Sequence, residues 1–170
     1  MYKFLIVSIF TILLYGCGFH LNGYAGNYKF PFKNAYIECD GVVICSNFTN
    51  AIKTQSLTTL ANKAESAEVT IKLYNEQTSR DASGFSATGR IASYLLTYQA
   101  QAQVIQKGVP ISNEITLNAQ QTMQYNDSTI LSANQQEASI WDQLHQKATN
   151  QLIRRLVHFK PISEYPDESE

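Results

Sequence analysis

The sequence carries little charge. Asp, Glu, Lys and Arg make up 16% of the 170 residues, against about 25% in an average soluble protein. The formal net charge is −1, and the chain has no strongly basic segment of the kind that marks nucleic-acid-binding proteins. We therefore expect no nucleic-acid partner.

The residues needed for catalysis are also scarce. There are three histidines, His20, His145 and His158, and none lies at the spacing of four that places two metal ligands on one helical face. The nucleophile pattern G-x-S-x-G of hydrolases is missing, and 83–89 is interpreted as a loop between strands. We expect no catalytic residues, no metal and no cofactor, so a lipid-anchored hydrolase is the least favoured function.

No apolar run is long enough to cross a membrane as a helix, which takes about 20 residues. The longest, Phe4–Leu14, follows Lys3 and precedes Gly16 and Cys17. A positive start, a short apolar core and a small residue at the cut are typical of a secretory signal peptide. Residues 1–16 are therefore predicted to be removed.

Cys17 resembles the acylated cysteine of bacterial lipoproteins. The resemblance implies an S-diacylglycerol and an N-acyl chain (typically palmitate) on Cys17, and several chains give a stable membrane anchor. Gly18 follows instead of an aspartate, which in that family implies sorting to the periplasmic side of the outer membrane. The alternative is an ordinary exported protein with a cysteine at the junction.

The other two cysteines, Cys39 and Cys45, lie on either side of a short loop that contains the turn dipeptide Asp40-Gly41. An oxidising compartment permits a disulfide between them. Free buried thiols remain an alternative, and a reactive thiol is the least favoured.

The chain divides into a lipidated tether at 17–33, one domain at 34–160 and an acidic, disordered tail at 161–170. The domain is predicted to begin with a strand at 35–38. A helix follows with Ser46 as its N-cap, and its apolar face is formed by Phe48, Ala51, Ile52 and Leu60.

Residues 69–125 alternate between apolar and polar side chains, which is typical of strands with one buried face. One face carries Tyr94, Leu96, Tyr98, Ala100, Ala102 and Val104; the other carries Gln99, Gln101 and Gln103. The turn 107–110 connects two long strands into an antiparallel hairpin. A helical stripe then runs through Ile140, Trp141, Leu144, Ala148, Leu152 and Leu156.

These elements predict an α+β fold. It is a two-layer sandwich of about four mostly antiparallel strands with two helices on one sheet face. Arg80 and Arg90 lie on either side of the glycine-containing loop, and Lys107 lies at the next turn. They are candidates for binding a phosphorylated lipid headgroup; the alternative is ordinary solvated loop charges.

The segments 17–21 (CGFHL) and 148–156 (ATNQLIRRL), with the long hairpin 88–125 between them, resemble the LptE family of lipopolysaccharide-assembly lipoproteins. The resemblance implies a non-enzymatic plug that binds lipopolysaccharide and partners the outer-membrane β-barrel LptD. It makes Arg90 the first candidate for lipopolysaccharide, while segment 126–137 lacks the basic residues that some relatives carry.

The glutamine face suits the plug interpretation, because a barrel lumen is polar. The same face could equally be a solvent-exposed sheet surface. The alternative function is therefore a free-standing periplasmic lipoprotein that binds amphiphiles or cell-wall components.

Overall fold

The computed structural model describes residues 28–126 and 130–162. The predicted signal peptide, Cys17 and residues 163–170 of the predicted tail lie outside the described residues. The described elements are β1 (Asn34–Cys39), α1 (Ile44–Gln55), β2 (Thr59–Leu60), a 3₁₀ helix (Ala64–Ser66), β3 (Val69–Phe85), β4 (Ile91–Gln106), β5 (Val109–Pro110), β6 (Ile115–Gln124) and α2 (Ile130–Val157).

The strands form a single mixed sheet in the order β2-β1-β3-β4, and β5 and β6 share the far edge of β4. β1 is parallel to both β2 and β3, and the remaining pairs are antiparallel. The α+β class is confirmed, with six strands in the described residues instead of about four. The two extra strands contain only two residues each, too few for an alternating pattern to be visible.

The core lies between the sheet and the two helices, on the sheet face that the alternating pattern predicted. The buried strand residues include Val69, Ile71, Leu73, Leu96, Tyr98, Ala100, Ala102, Val104, Leu117 and Met123. The helices contribute Ile44, Phe48 and Ile52 from α1 and Ala133, Ile140, Leu144, Ala148, Leu152 and Leu156 from α2. Burial of each large aliphatic side chain contributes about 1.5–3 kcal/mol.

The last part of the predicted tether packs into this core. Phe30 and Phe32 are 5% and 7% exposed, and their ring centroids are 5.3 Å apart. Phe30 also stacks on Phe48 of α1 at 6.4 Å. The packed structure therefore begins before residue 34, because these aromatic side chains fill the space beside α1.

The first helix begins earlier than predicted. Ser46 lies inside α1, and the N-cap is Val43, which has no side-chain cap. The Val43 N–H instead donates to Glu76 Oε2 at 2.7 Å, so a carboxylate from β3 lies at the positive end of the helix. An irregularity in β3 between Tyr74 and Gln77 positions Glu76 there, with Asn75 in the left-handed region at φ +55°.

The other end of α1 also differs from the prediction. Ser56 adopts φ +51° and ends the helix at Gln55, and Leu57 N–H donates to Ile52 O at 3.1 Å. Leu60, predicted on the helical face, lies in β2 beside β1. The sequence contains no signal for this helix end, because the residue in the left-handed conformation is a serine and not the usual glycine.

Cys39 and Cys45 are joined by a disulfide, with Cα atoms 6.2 Å apart. The bond connects the end of β1 to the first turn of α1, and Gly41 makes the turn between them at φ +65°. A glycine is favoured at that positive φ because a side chain would be strained.

Two further boundaries correct the sequence predictions. Ser83, Gly84 and Phe85 belong to β3 and not to the loop that follows. The segment 130–137 belongs to α2 and not to a connection before it. In the predicted tail, Ile162 N–H donates to Ile111 O at 3.0 Å, so the described end of the chain returns to the sheet.

Candidate functional site

The β3–β4 hairpin extends beyond the rest of the sheet at one end. β1 pairs with β3 only as far as Leu73, whereas β3 and β4 stay paired as far as Phe85 and Ile91. We call this end, with the turn at 86–90, the hairpin end. The opposite end, where β1 begins and where α1 and α2 finish, is called the tether end.

Arg90 lies at the tip of the hairpin end, in a turn held by several hydrogen bonds. Ser86 N–H donates to Arg90 O at 2.7 Å, and Gly89 N–H donates to Ser86 O at 2.9 Å. Arg90 N–H also donates to Ser86 Oγ at 3.2 Å, and Gly89 has φ +77°. The exposed Arg90 side chain therefore starts from a fixed backbone position at the far end of the molecule.

Arg80 has a different environment, on the helix-covered face of β3. Its Nε lies 3.2 Å from Glu137 Oε2 on α2, and its Cζ lies 3.7 Å above the centroid of the Tyr94 ring. Tyr94 in turn contacts Tyr125 edge to face at 5.1 Å, and Trp141 Nε1 donates to Glu137 Oε1 at 3.4 Å. These contacts attach α2 to the hairpin, so the charge of Arg80 is already balanced within the fold.

Lys107 lies far from both arginines. It forms the β4–β5 turn with Gly108, at φ +50° and +81°, whereas Arg90 immediately precedes the other end of β4. A strand of 16 residues is roughly 50 Å long at 3.3 Å per residue. The sequence grouped Lys107 with Arg90 by position, but the length of β4 separates them, and the three candidates do not form one site.

The open face of the sheet is polar, as the alternating pattern predicted. The half-exposed Gln99, Gln101 and Gln103 on β4 project from the face away from the helices. Within the described residues, the side chains of Gln99 and Gln103 have no hydrogen-bond partner, whereas Gln101 accepts from Asn75 Nδ2 at 2.6 Å. The face thus offers unpaired neutral donors and acceptors to a partner.

Glu114 organises one part of this face. Its carboxylate accepts hydrogen bonds from Gln101 Nε2 at 2.5 Å and from the Tyr74 hydroxyl at 3.0 Å. Partial burial, followed by the hydrogen bond and charge of Glu114, raises the pKa of Tyr74 above its usual 10.0. Tyr74 therefore stays a neutral donor at ordinary pH.

The hydroxyl of Tyr98 is a polar group buried in the core, near Glu76 and the start of α1. The Tyr98 side chain is 0% exposed, and its hydroxyl has no hydrogen-bond partner among the described residues. Burial and then the charge of Glu76 raise its pKa above 10.0. The Tyr98 ring also contacts His145 edge to face at 4.9 Å, which assigns this histidine a packing role.

Sequence reasoning missed two groups near these surfaces. For the cluster of Arg80 with Glu137 and Trp141, the sequence contains one signal: Glu137 and Trp141 are four residues apart and therefore share a helical face. For the contact of Glu76 with α1 the sequence contains no signal, because the contact depends on the irregularity in β3.

Within residues 28–126 and 130–162, no group of three or more potential metal ligands comes together. None of the helices in the described part is long and apolar enough to span a membrane.

Comparison with protein families is decisive. A family model described as LptE, lipopolysaccharide-assembly, matches residues 30–156. The chain belongs to the LptE family. The match extends from Phe30, the first buried aromatic among the described residues, to Leu156, the last buried residue of α2.

Solved structures show that this LptE chain shares its fold with bacterial lipoproteins. A lipoprotein B from Nitrosomonas europaea matches with a TM-score of 0.70 and 23% identity, over 84% of this chain and 92% of that one. A minor lipoprotein from Acinetobacter baumannii matches with a TM-score of 0.63 and 19% identity, over 75% and 92%. The rare lipoprotein B from Shewanella oneidensis gives 0.64 and 10%, over 74% and 95%. None of the curated proteins matches in sequence.

Proposed function

We propose that this LptE chain is an outer-membrane lipoprotein that seats as a plug in an LptD-like β-barrel, supports the assembly of that barrel and helps deliver lipopolysaccharide to the cell surface. The family match over residues 30–156 carries this proposal. In this role the protein acts by binding and positioning, without catalysis or a cofactor.

The open sheet face supports the plug role. The lumen of an outer-membrane barrel is polar, and unpaired Gln99 and Gln103 side chains can exchange hydrogen bonds with it. Neutral amides cost less to desolvate than charged groups, because an isolated charge away from water is strongly disfavoured. The unpaired amides of this face therefore fit an enclosed polar lumen.

Arg90 is the residue we propose for lipopolysaccharide. Its backbone is fixed by the hairpin turn, and a guanidinium can bind a phosphate through two parallel hydrogen bonds. Arg80 plays a supporting part, since its ion pair with Glu137 connects the hairpin to α2. Lys107, about one strand length away, belongs to a different surface.

The proposed location follows from the sequence of the first residues. Acylation of Cys17 would anchor the chain to the periplasmic side of the outer membrane through its diacylglycerol and N-acyl chains. The disulfide between Cys39 and Cys45 is consistent with an oxidising compartment such as the periplasm.

The test is an affinity purification of the tagged, processed protein from detergent-solubilised outer membranes. We expect a large, heat-modifiable β-barrel in stoichiometric amount. If the correctly localised and folded protein is recovered without a barrel, the plug role is wrong, and a free-standing binding lipoprotein replaces it.

A paired substitution tests the face itself. We expect Gln99→Lys with Gln103→Lys to reduce barrel recovery several-fold, because two charges would be placed against the partner without counter-charges. Gln146→Lys, at an exposed position on α2, is the matched control and should leave recovery unchanged. Equal recovery of the two variants would show that this face does not meet the barrel.

A further inference from the structure

Two adjoining clefts open at the tether end. The first, of about 600 Å³, lies between residues 28–29, the end of α1 and the last turns of α2. The second, of about 810 Å³, shares Lys29, Ser56 and Leu57 with the first and continues toward β2. Together they form a surface at the opposite end of the molecule from Arg90.

These clefts are lined by positive side chains. Lys29 and Arg154 line the first beside His158, and Lys33 and Lys53 line the second. The described ion pairs, Lys72 with Glu38 and Arg80 with Glu137, lie elsewhere. The cations of the clefts are therefore not neutralised within the described residues.

Among the described residues, the one carboxylate in the two linings is already engaged. Glu68 lines the second cleft, and its Oε2 accepts the Lys33 backbone N–H at 2.7 Å. Along α2, by contrast, Glu137 and Asp142 lie toward the start and Arg154 and Arg155 in the last turn. The basic residues in the last turn of α2 thus lie at the tether end, where the chain enters the domain.

The first cleft is also partly apolar. Leu57, Ile153 and Val157 contribute to its lining beside Lys29 and Arg154. An arginine can hold a phosphate through two hydrogen bonds, while the aliphatic side chains suit the glycerol and first methylenes of a lipid. This combination fits an anionic amphiphile better than a free ion.

The position of the cleft indicates which amphiphile is close enough to bind there. Tyr28 lines it, and Cys17 lies eleven positions earlier in the chain. A segment of that length spans at most roughly 40 Å, so acylation at Cys17, which is part of the proposed function, would keep the cleft close to the anchoring leaflet. Lys and Arg side chains near an anionic leaflet are attracted to it.

We propose that this cleft binds the phosphate-bearing headgroup of an anionic phospholipid from the leaflet that holds the anchor. Arg154 and Lys29 contact the phosphate, and Leu57, Ile153 and Val157 contact the glycerol and upper acyl chain. The contact orients the domain with the tether end at the anchoring leaflet and the hairpin end farther from that leaflet.

The test is a calorimetric titration of the full, processed protein, in a neutral detergent, with dihexanoylphosphatidylglycerol. Dihexanoylphosphatidylcholine and inorganic phosphate are the comparison ligands. We expect dihexanoylphosphatidylglycerol to bind most tightly, with an affinity that falls as the salt concentration is raised. Arg154→Gln should weaken the binding of the phosphatidylglycerol analogue roughly tenfold, because the variant loses a charge-assisted hydrogen bond to the phosphate.

The neighbouring residue supplies the matched control. Arg155 also lies in the last turn of α2 but does not line the cleft, so Arg155→Gln should bind within about twofold of the parent protein. Lys29→Gln, outside any helix, is a second test that leaves α2 unchanged, and we expect a several-fold loss.

Three results would overturn the proposal. They are equal affinity for the phosphatidylcholine analogue, equal affinity for inorganic phosphate, or equal losses in Arg154→Gln and Arg155→Gln. None of them bears on barrel recovery, so the test stands apart from that of the plug role. Lipopolysaccharide binding that is unchanged in Arg154→Gln would confirm that the two lipid surfaces are separate.

Discussion

Gln151 of α2 forms two hydrogen bonds with the backbone of Asn118 on β6. Its Nε2 donates to Asn118 O at 2.8 Å, and its Oε1 accepts from Asn118 N–H at 3.2 Å. A side-chain amide thus occupies the outer edge of β6, where a further strand could otherwise pair. Exposed strand edges promote association between chains, so this contact both stabilises the fold and protects the edge.

We expect Gln151→Ala to lower the free energy of unfolding by about 1–2 kcal/mol, because each of two hydrogen bonds contributes about 0.5–1.5 kcal/mol. Urea unfolding measures the loss, and sedimentation at increasing concentration measures self-association, which should rise. Gln146→Ala, at an exposed position of the same helix, should change neither quantity. Similar behaviour of the two variants would contradict the edge-protecting role.

The disulfide should contribute measurably to stability. Replacing both Cys39 and Cys45 by serine removes a constraint on a short loop of sequence separation 6, for which chain entropy predicts a loss of about 2 kcal/mol. Chemical unfolding with and without reductant checks this. The parent protein in reductant should match the double variant in oxidising buffer, and a parent that does not respond to reductant would refute the prediction.

Arg80 and Arg90 should separate into a structural and a binding role. Arg80→Gln removes the ion pair with Glu137 and the contact with Tyr94. We expect a stability loss of about 1 kcal/mol, since such partly exposed pairs are weak. Its lipopolysaccharide affinity should stay close to that of the parent protein when measured at a temperature where both are folded.

Arg90→Glu should show the reverse pattern. The side chain is exposed at the hairpin tip, so reversing its charge should change the unfolding midpoint little. The affinity for lipopolysaccharide should fall about tenfold or more, because a phosphate contact becomes a repulsion. Unchanged binding in this variant would remove Arg90 from the proposed site.

Stability should decline in alkaline solution through Tyr98. Its folded pKa lies above the usual 10.0, so above about pH 10 the unfolded chain loses this proton while the folded chain keeps it. Stability from this group is therefore complete below pH 10 and decreases by about 1.4 kcal/mol per pH unit above it. Urea unfolding measures this near pH 9 and pH 11. Between these two pH values the free energy of unfolding should fall less in Tyr98→Phe than in the parent protein, and an equal fall in both would contradict the role of Tyr98.

Much of the fold could be predicted from local pattern. The period-two alternation in β3, β4 and β6 identified the buried face correctly, and the stripe from Ile140 to Leu156 identified the helix that covers it. These signals are strong because each element has to bury one face. The short strands β2 and β5, and the parallel pairing of β1, were missed because they depend on contacts between distant segments.

The candidate site was harder to predict, for the same physical reason. Arg80 is engaged by Glu137, 57 positions further along the chain, and Lys107 is separated from Arg90 by the whole length of β4. The local sequence predicts Ser46 as the N-cap of α1. The group that accepts from the first N–H is instead the carboxylate of Glu76, which lies on β3 and is distant in sequence. Sequence position alone cannot show which distant side chain will satisfy a charge or a helix end.

The parallel pairing of β1 with β3 would have a mechanical consequence if the chain is anchored to a membrane through Cys17, as proposed. A pull from the tether end acts along β1, in the direction of the strands. Five residue pairs join the two strands, from Ala35 with Val69 to Cys39 with Leu73. Force applied in this direction shears all of them together instead of opening them one after another, so the domain should resist extraction by tension on its own anchor.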